Sequence, residues 1–232
     1  MTHLFLIRTT KMKLLTTILF LFNAILIYGQ TENFNCSEVT ETIIITADSV
    51  LLESSFIDRN KKIGRIKDSE SEFEIRYYFE PSLVNGGHVT IINCSRDKMI
   101  ARKINYWFSA KNEYDKRRIN KTETIELKPK SWDIFFDSLQ IMNFYSFPTM
   151  ATIRPKMKKY VTRSDGKVVE KRAMITDGAN YTFKIKIGNV IRVFTYHSPD
   201  AWYEVYDNVD ELRQATELIK FFKRSLKESN NH

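Results

Sequence analysis

Histidine and cysteine are scarce in this chain, with four and two copies in 232 residues, and that scarcity removes most reactive chemistry at the outset. A tetrahedral metal site needs four closely spaced nitrogen, sulfur or oxygen ligands. His88 and Cys94 are the nearest such pair, and no second pair completes a set. There is no Gly-x-Ser-x-Gly elbow and no nucleotide-binding motif. His3 falls in an apolar leader and His232 is terminal, so a hydrolase would need His88 or His197 as its base. His88 follows Gly86-Gly87 and His197 precedes Ser198-Pro199, and histidines at strand ends are ordinary. No catalytic residue, metal or cofactor is therefore predicted. Glycine (7) and proline (5) are also few, while aromatics make up 13 %, a composition that excludes low complexity and long disorder.

Acidic residues are absent from the first thirty positions, which carry Arg8, Lys11 and Lys13 and then run uncharged from Leu14 to Gln30. A basic start followed by a short apolar run is the pattern of a secretory signal. The apolar stretch Leu14 to Tyr28 is shorter than the roughly 20 residues of a spanning helix. Residues 1–29 are expected to be removed after Gly29, leaving no membrane span. Met12-Lys13 is an equally good start for such a signal, and an uncleaved anchor is the alternative. In an oxidising compartment Cys36 and Cys94 are expected to form one disulfide, two buried thiols being the other reading.

Cleavage would leave 203 residues with 33 basic and 28 acidic side chains, or +5. That length can bury about 70 % of the unfolded surface. The mild positive charge suits an anionic envelope component or an acidic protein as partner, and export argues against nucleic acid.

Period-two and period-3.6 patterns predict an α+β fold, an antiparallel sheet of meander and hairpin strands covered by two amphipathic helices. Strands are expected over 42–50, 72–80, 88–94, 99–108, 122–127, 167–174, 181–187 and 190–196. Asn85-Gly86-Gly87 is read as a turn with positive φ, and Gly188-Asn189 as a two-residue hairpin turn. Residues 58–71 are too charged for a core and are read as a loop or exposed hairpin. Ser131 is the expected N-cap of one helix, with Trp132, Phe135, Phe136, Leu139 and Met142 on its stripe. Asp207 or Asn208 is expected to cap the second, whose stripe is Val209, Leu212, Thr216, Ile219, Phe222 and Leu226. Residues 30–232 are read as a single α+β domain containing two strands-then-helix segments, 72–143 and 160–227, with two small halves as the less economical alternative.

Two surface features could bind ligands. Arg154, Lys156, Lys158, Lys159, Arg163, Lys167, Lys171 and Arg172 form a basic run suited to phosphate or carboxylate groups, or only to solvent. Asp200, Trp202, Tyr203, Glu204, Tyr206 and Asp207 mix acids with aromatic rings, as a sugar-binding face does, or as a loop packed before a helix does.

The run from Asp177 to Ile185, then Gly188-Asn189, Tyr196-His197-Ser198-Pro199, and the Trp132-Asp133-Ile134-Phe135-Phe136 segment with Phe147-Pro148, resembles a pattern in uncharacterised exported proteins of Bacteroidota. The resemblance implies export and an α+β fold, and no activity. It also makes Asp48-Ser49-Val50 and Asp137-Ser138-Leu139 similar to O-glycosylation acceptors of that group. The sequence is thus read as an exported, non-enzymatic binding or interaction module. The alternatives are a carboxylate-dependent envelope or glycan hydrolase and an inhibitor of a secreted enzyme.

Overall fold

The structure, a computed structural model, describes residues 36, 43, 45, 56–95, 98–109 and 118–229. The expected signal and Ser49 lie outside these residues. Of the strand expected over 42–50 only Ile43 and Ile45 are described, neither of them in a strand.

Four strands, β1 (Phe73–Pro81), β2 (Gly86–Ser95), β3 (Lys98–Phe108) and β4 (Ile119–Pro129), form the expected meander. Helix α1 (Trp132–Ile141) follows, then a short α2 (Met150–Ile153) and the small hairpin β5 (Tyr160–Thr162) and β6 (Val168–Glu170). The hairpin β7 (Ala179–Ile187) and β8 (Val190–His197) leads to α3 (Pro199–Val205), α4 (Asp210–Ser225) and β9 (Leu226–Glu228). Seven strands join one antiparallel sheet in the order β8-β7-β1-β2-β3-β4-β9. Strands from both sequence segments therefore share one sheet, with β7 seated against β1.

Alternation along β1 decides what lies on each face. Phe73, Ile75 and Tyr77 point toward the helices, where Phe73 meets Phe136 at 5.5 Å and Tyr77 meets Phe222 at 5.4 Å between ring centroids. The stripes of α1 (Phe135, Phe136, Leu139) and α4 (Leu212, Ala215, Leu218, Ile219, Phe222) are buried there, each large side chain contributing about 1.5–3 kcal/mol. Ser131 caps α1 by accepting from the Ile134 amide. Arg192 is buried on this face of β8 and donates to the carbonyls of Tyr145 and Phe147, fastening the connection after α1 to the sheet edge.

Several expectations are corrected. Residues 58–71 are not an exposed loop. Ile57, Ile63 and Ile66 are buried, and Ile57 and Ile63 pack with Tyr78, Val89, Ile91, Ile104 and Tyr106 on the sheet face opposite the helices. Two 3-10 turns, Phe56–Arg59 and Ile66–Asp68, turn Ile57 and Ile66 inward, and Ile63 sits in the turn between them, while most of the charged neighbours stay in solvent. Gly86 and Gly87 are not positive-φ turn residues but the start of β2. A Cβ on Gly86 would stand 2.3 Å from the Tyr106 carbonyl oxygen, and one on Gly87 2.3 Å from that of Phe79, so close backbone approach is what requires glycine. Gly188, with φ 54°, does make the expected hairpin turn.

Of residues 167–174 only Val168–Glu170 is a strand, and it pairs with β5 outside the main sheet. Helix α4 begins after Val209 with no side-chain cap, because α3 leads the chain into it and Asp207 is engaged elsewhere. Leu226 leaves the helix and opens β9. The Cys36–Cys94 disulfide is present. No helix among the described residues is long and apolar enough to cross a membrane.

Candidate functional site

The two surface features singled out in the sequence meet each other. Lys159 donates to Asp207 at 2.9 Å, and Lys156 pairs with Glu211. Lys167 and Arg172 lie beside Asp165 and Glu170, at 3.9 and 3.8 Å. Half of the basic run is thus offset by acids, while Arg154, Lys158, Arg163 and Lys171 spread over α2's end and the β5–β6 hairpin. Lys159 donating to Asp207, and Lys156 to Glu211, hold those carboxyls below their ordinary range, which unsuits either as a proton donor near neutrality. Tyr206 is buried against Trp202 with centroids 5.8 Å apart, and its hydroxyl reaches the Lys171 carbonyl. Trp202 and Tyr203 are half-buried on α3, while Asp200 and Glu204 are exposed. The cluster is largely packing and ion pairing.

The histidines do not converge. His88 stacks near Tyr77 and Phe79 on the helix face of β2. His197 belongs to the opposite face, its Nδ1 3.1 Å from the Asn180 side-chain oxygen. Burial, helped by Lys103 and Lys223, pushes the His88 imidazole down to about 4, so it is neutral across the physiological range. Ser138 on α1 donates to the Ile134 carbonyl at 2.6 Å.

A charged cluster that sequence reasoning missed lies under the 56–69 cover. Asp58 is 3 % exposed and accepts from the Tyr78 hydroxyl at 2.6 Å and the Lys184 ammonium at 2.5 Å. Arg76 donates to Glu74 and to the Gly64 carbonyl, and its guanidinium stands 3.8 Å from Asp58. Lys186 donates to the Ser69 carbonyl, and Ser69 in turn donates to Glu74 at 2.5 Å. The polar residues of β1 and β7 on this face thereby add polar ties to an irregular segment that also packs Ile57 and Ile63 against the sheet. Two acids, Asp58 and Glu74, stand among three bases, Arg76, Lys184 and Lys186, each base hydrogen-bonded within the cluster or to a carbonyl of the cover, and the cluster serves the fold.

The feature open to a ligand is a groove of about 660 Å³ where the start of α1, the end of α4 and the β4–β9 pair come together. Its floor is apolar: Pro129 and Phe135 are buried, Phe221 is half-buried, and Ile134 is 62 % exposed. Its rim carries Lys128, Lys130, Arg224 and Lys227. Glu228, also on the rim, is taken by Lys103 at 2.9 Å. Among the described residues no acid pairs with any of the four rim cations. Arg224 stands in the last turn of α4, where the helix dipole favours a cation, and the return of β9 alongside β4 sets Lys227 opposite Lys128. An apolar floor with four unpaired cations around it fits a ligand with an apolar body and a negative charge.

No protein-family model, no curated protein and no solved structure matches this chain.

Proposed function

We propose that the chain is an exported, non-catalytic binding module whose ligand site is the basic-rimmed groove between α1, α4 and β9. The single observation that carries the reading is the apolar floor of exposed Ile134 and half-buried Phe221 beneath four cations that have no salt-bridged acid among the described residues. Its volume lies in the range of roughly 300–1,000 Å³ common for small-molecule sites. The disulfide and the apolar basic leader support the compartment. The hydrolase reading is weaker because Asp207 and Glu211 are engaged by lysines.

Anilinonaphthalene sulfonate, an anionic aromatic dye, tests the site. It is expected to bind with one-to-one stoichiometry and to weaken as salt rises toward physiological strength, since the rim is exposed. Arg224→Glu and Ile134→Glu are each expected to weaken it by about tenfold, equal to about 1.4 kcal/mol. Dye binding that ignores both substitutions and salt would refute the groove as the site.

A further inference from the structure

We infer that the outer edge of β4 is a self-association surface, on which a second copy of this chain adds its own β4, antiparallel, about a two-fold axis at Thr122. Such a contact joins two seven-stranded sheets into one. The inference does not depend on the groove binding anything. On one side β4 is paired with β3 along its length, while on the other β9 reaches only residues 127–129. Among the described residues no strand pairs with the outer side of 119–125. Asn120, Lys121, Glu123 and Thr124 are exposed, and neither proline nor glycine interrupts the stretch. The Ser229 amide donates to the Glu126 carbonyl, so Glu126 turns its backbone groups away from β3. Those groups alternate along a strand, so Thr124 and Thr122 turn theirs outward as well. A row of unpaired amides and carbonyls is a template for a further strand.

Charge selects the occupant of this edge, and the strand that fits it is its own image. A two-fold axis normal to the sheet sets paired residues on the same face, so it passes through a residue of β4. With the axis at Thr122, Lys121 of each copy stands opposite Glu123 of the other, and Asn120 stands opposite Thr124. Thr122 then exchanges both backbone hydrogen bonds with its counterpart. An axis at Lys121 or at Glu123 would set like charges directly opposite each other, which is unfavourable. An axis at Thr124 would set Glu123 against Ile125 and Lys121 against Leu127. Only Thr122 matches both charges. Neither Lys121 nor Glu123 has an ion-pair partner among the described residues, and Lys121 is steadied at the edge by the Trp107 ring, its ammonium 5.0 Å from the centroid. The shift of register between Trp107 and Phe108 ends the regular edge near Asn120, so the contact is short, from Asn120 to Thr124.

Sedimentation velocity over a concentration series of the protein is expected to show a monomer–dimer equilibrium, with no larger species because a two-fold contact closes on itself. Lys121→Glu and Glu123→Lys each turn two opposite-charge pairs into two like-charge pairs, and each is expected to weaken the dimer by about tenfold. The two substitutions together exchange the charges and are expected to restore it. Thr122→Pro removes an amide that points away from β3, and is expected to abolish the dimer while leaving the far-ultraviolet circular dichroism unchanged. The native cysteines are paired with each other, so an introduced thiol reports its own neighbours. Thr122→Cys is expected to cross-link two copies on oxidation, the opposed Cα atoms lying about 5.5 Å apart. Thr124→Cys, roughly 14 Å from its counterpart in the same register, is expected to stay uncross-linked. A monomer at every concentration up to about 1 mM, the Kd of a very weak association, overturns the inference. So does a dimer that ignores both Lys121→Glu and Thr122→Pro, which would place the contact elsewhere, and so does a folded double exchange that stays monomeric.

Discussion

Replacing Asp58 by alanine is expected to destabilise the protein by about 3–5 kcal/mol, the cost of breaking a buried ion pair from one side. The side chain is only 2 % exposed and is the acceptor for both Tyr78 and Lys184, while Lys184 is itself 6 % exposed. Without Asp58, the buried ammonium keeps no carboxylate hydrogen-bonded to it and stays over the Tyr78 ring, and the 56–69 cover loses its tie to Tyr78 of β1 and Lys184 of β7. The cost belongs to the unpaired charge, so removing both charges should relieve it. Asp58→Leu combined with Lys184→Met is expected to recover at least half of the loss, since a matched apolar replacement of a buried pair is often neutral. Urea unfolding of the three proteins measures this. A single substitution costing under about 1 kcal/mol would show that the cover is not fastened there.

Cys94→Ser is the second large effect. The bridge to Cys36 spans 58 positions and ties the segment preceding the sheet to β2. For a loop of that length the chain-entropy treatment gives about 4 kcal/mol as an upper value, and a loss of about 2–4 kcal/mol is expected. Wild-type protein unfolded with and without reductant should show the same difference, and the Cys94→Ser protein should be indifferent to reductant. Equal stability of the oxidised and reduced wild-type chains would mean that the bridge constrains nothing in the unfolded state.

These two contacts differ in how visible they were. The disulfide could be proposed from a count of two cysteines and an export signal. The Asp58–Lys184 pair could not, because the partners are 126 residues apart, and charged residues in a stretch such as 58–71 ordinarily mark solvent. The hidden signal was Ile57, Ile63 and Ile66, whose spacing matches neither a helix nor a strand because the segment winds through irregular turns. Periodicity reads regular elements only. It therefore found β1, β7, β8, α1 and most of α4 and missed the cover.

The same limit applies to the ends of elements and to the candidate site. Leu226 continues the α4 stripe in sequence, so nothing local separated it from the helix. Its pairing with Pro129 across the β4–β9 ladder is a tertiary event. The groove inherits this opacity, since Lys128 and Lys130 lie about a hundred positions from Arg224 and Lys227 and meet only once β9 turns back. The basic run 154–172 was conspicuous by contrast, yet Lys156 and Lys159 find acids on and just before α4. A local concentration of charge reveals nothing about what the fold will set against it.

The claim that the groove is the ligand site is tested most directly by mapping where an anionic amphiphile lands. Dodecanoate, with an aliphatic chain and one carboxylate, titrated into isotopically labelled protein, should shift the amides of 128–135 and 221–229 in a saturable way. Residues 154–172 and 200–207 should stay unmoved. Saturable shifts confined to those latter stretches, with the groove silent, would contradict the account.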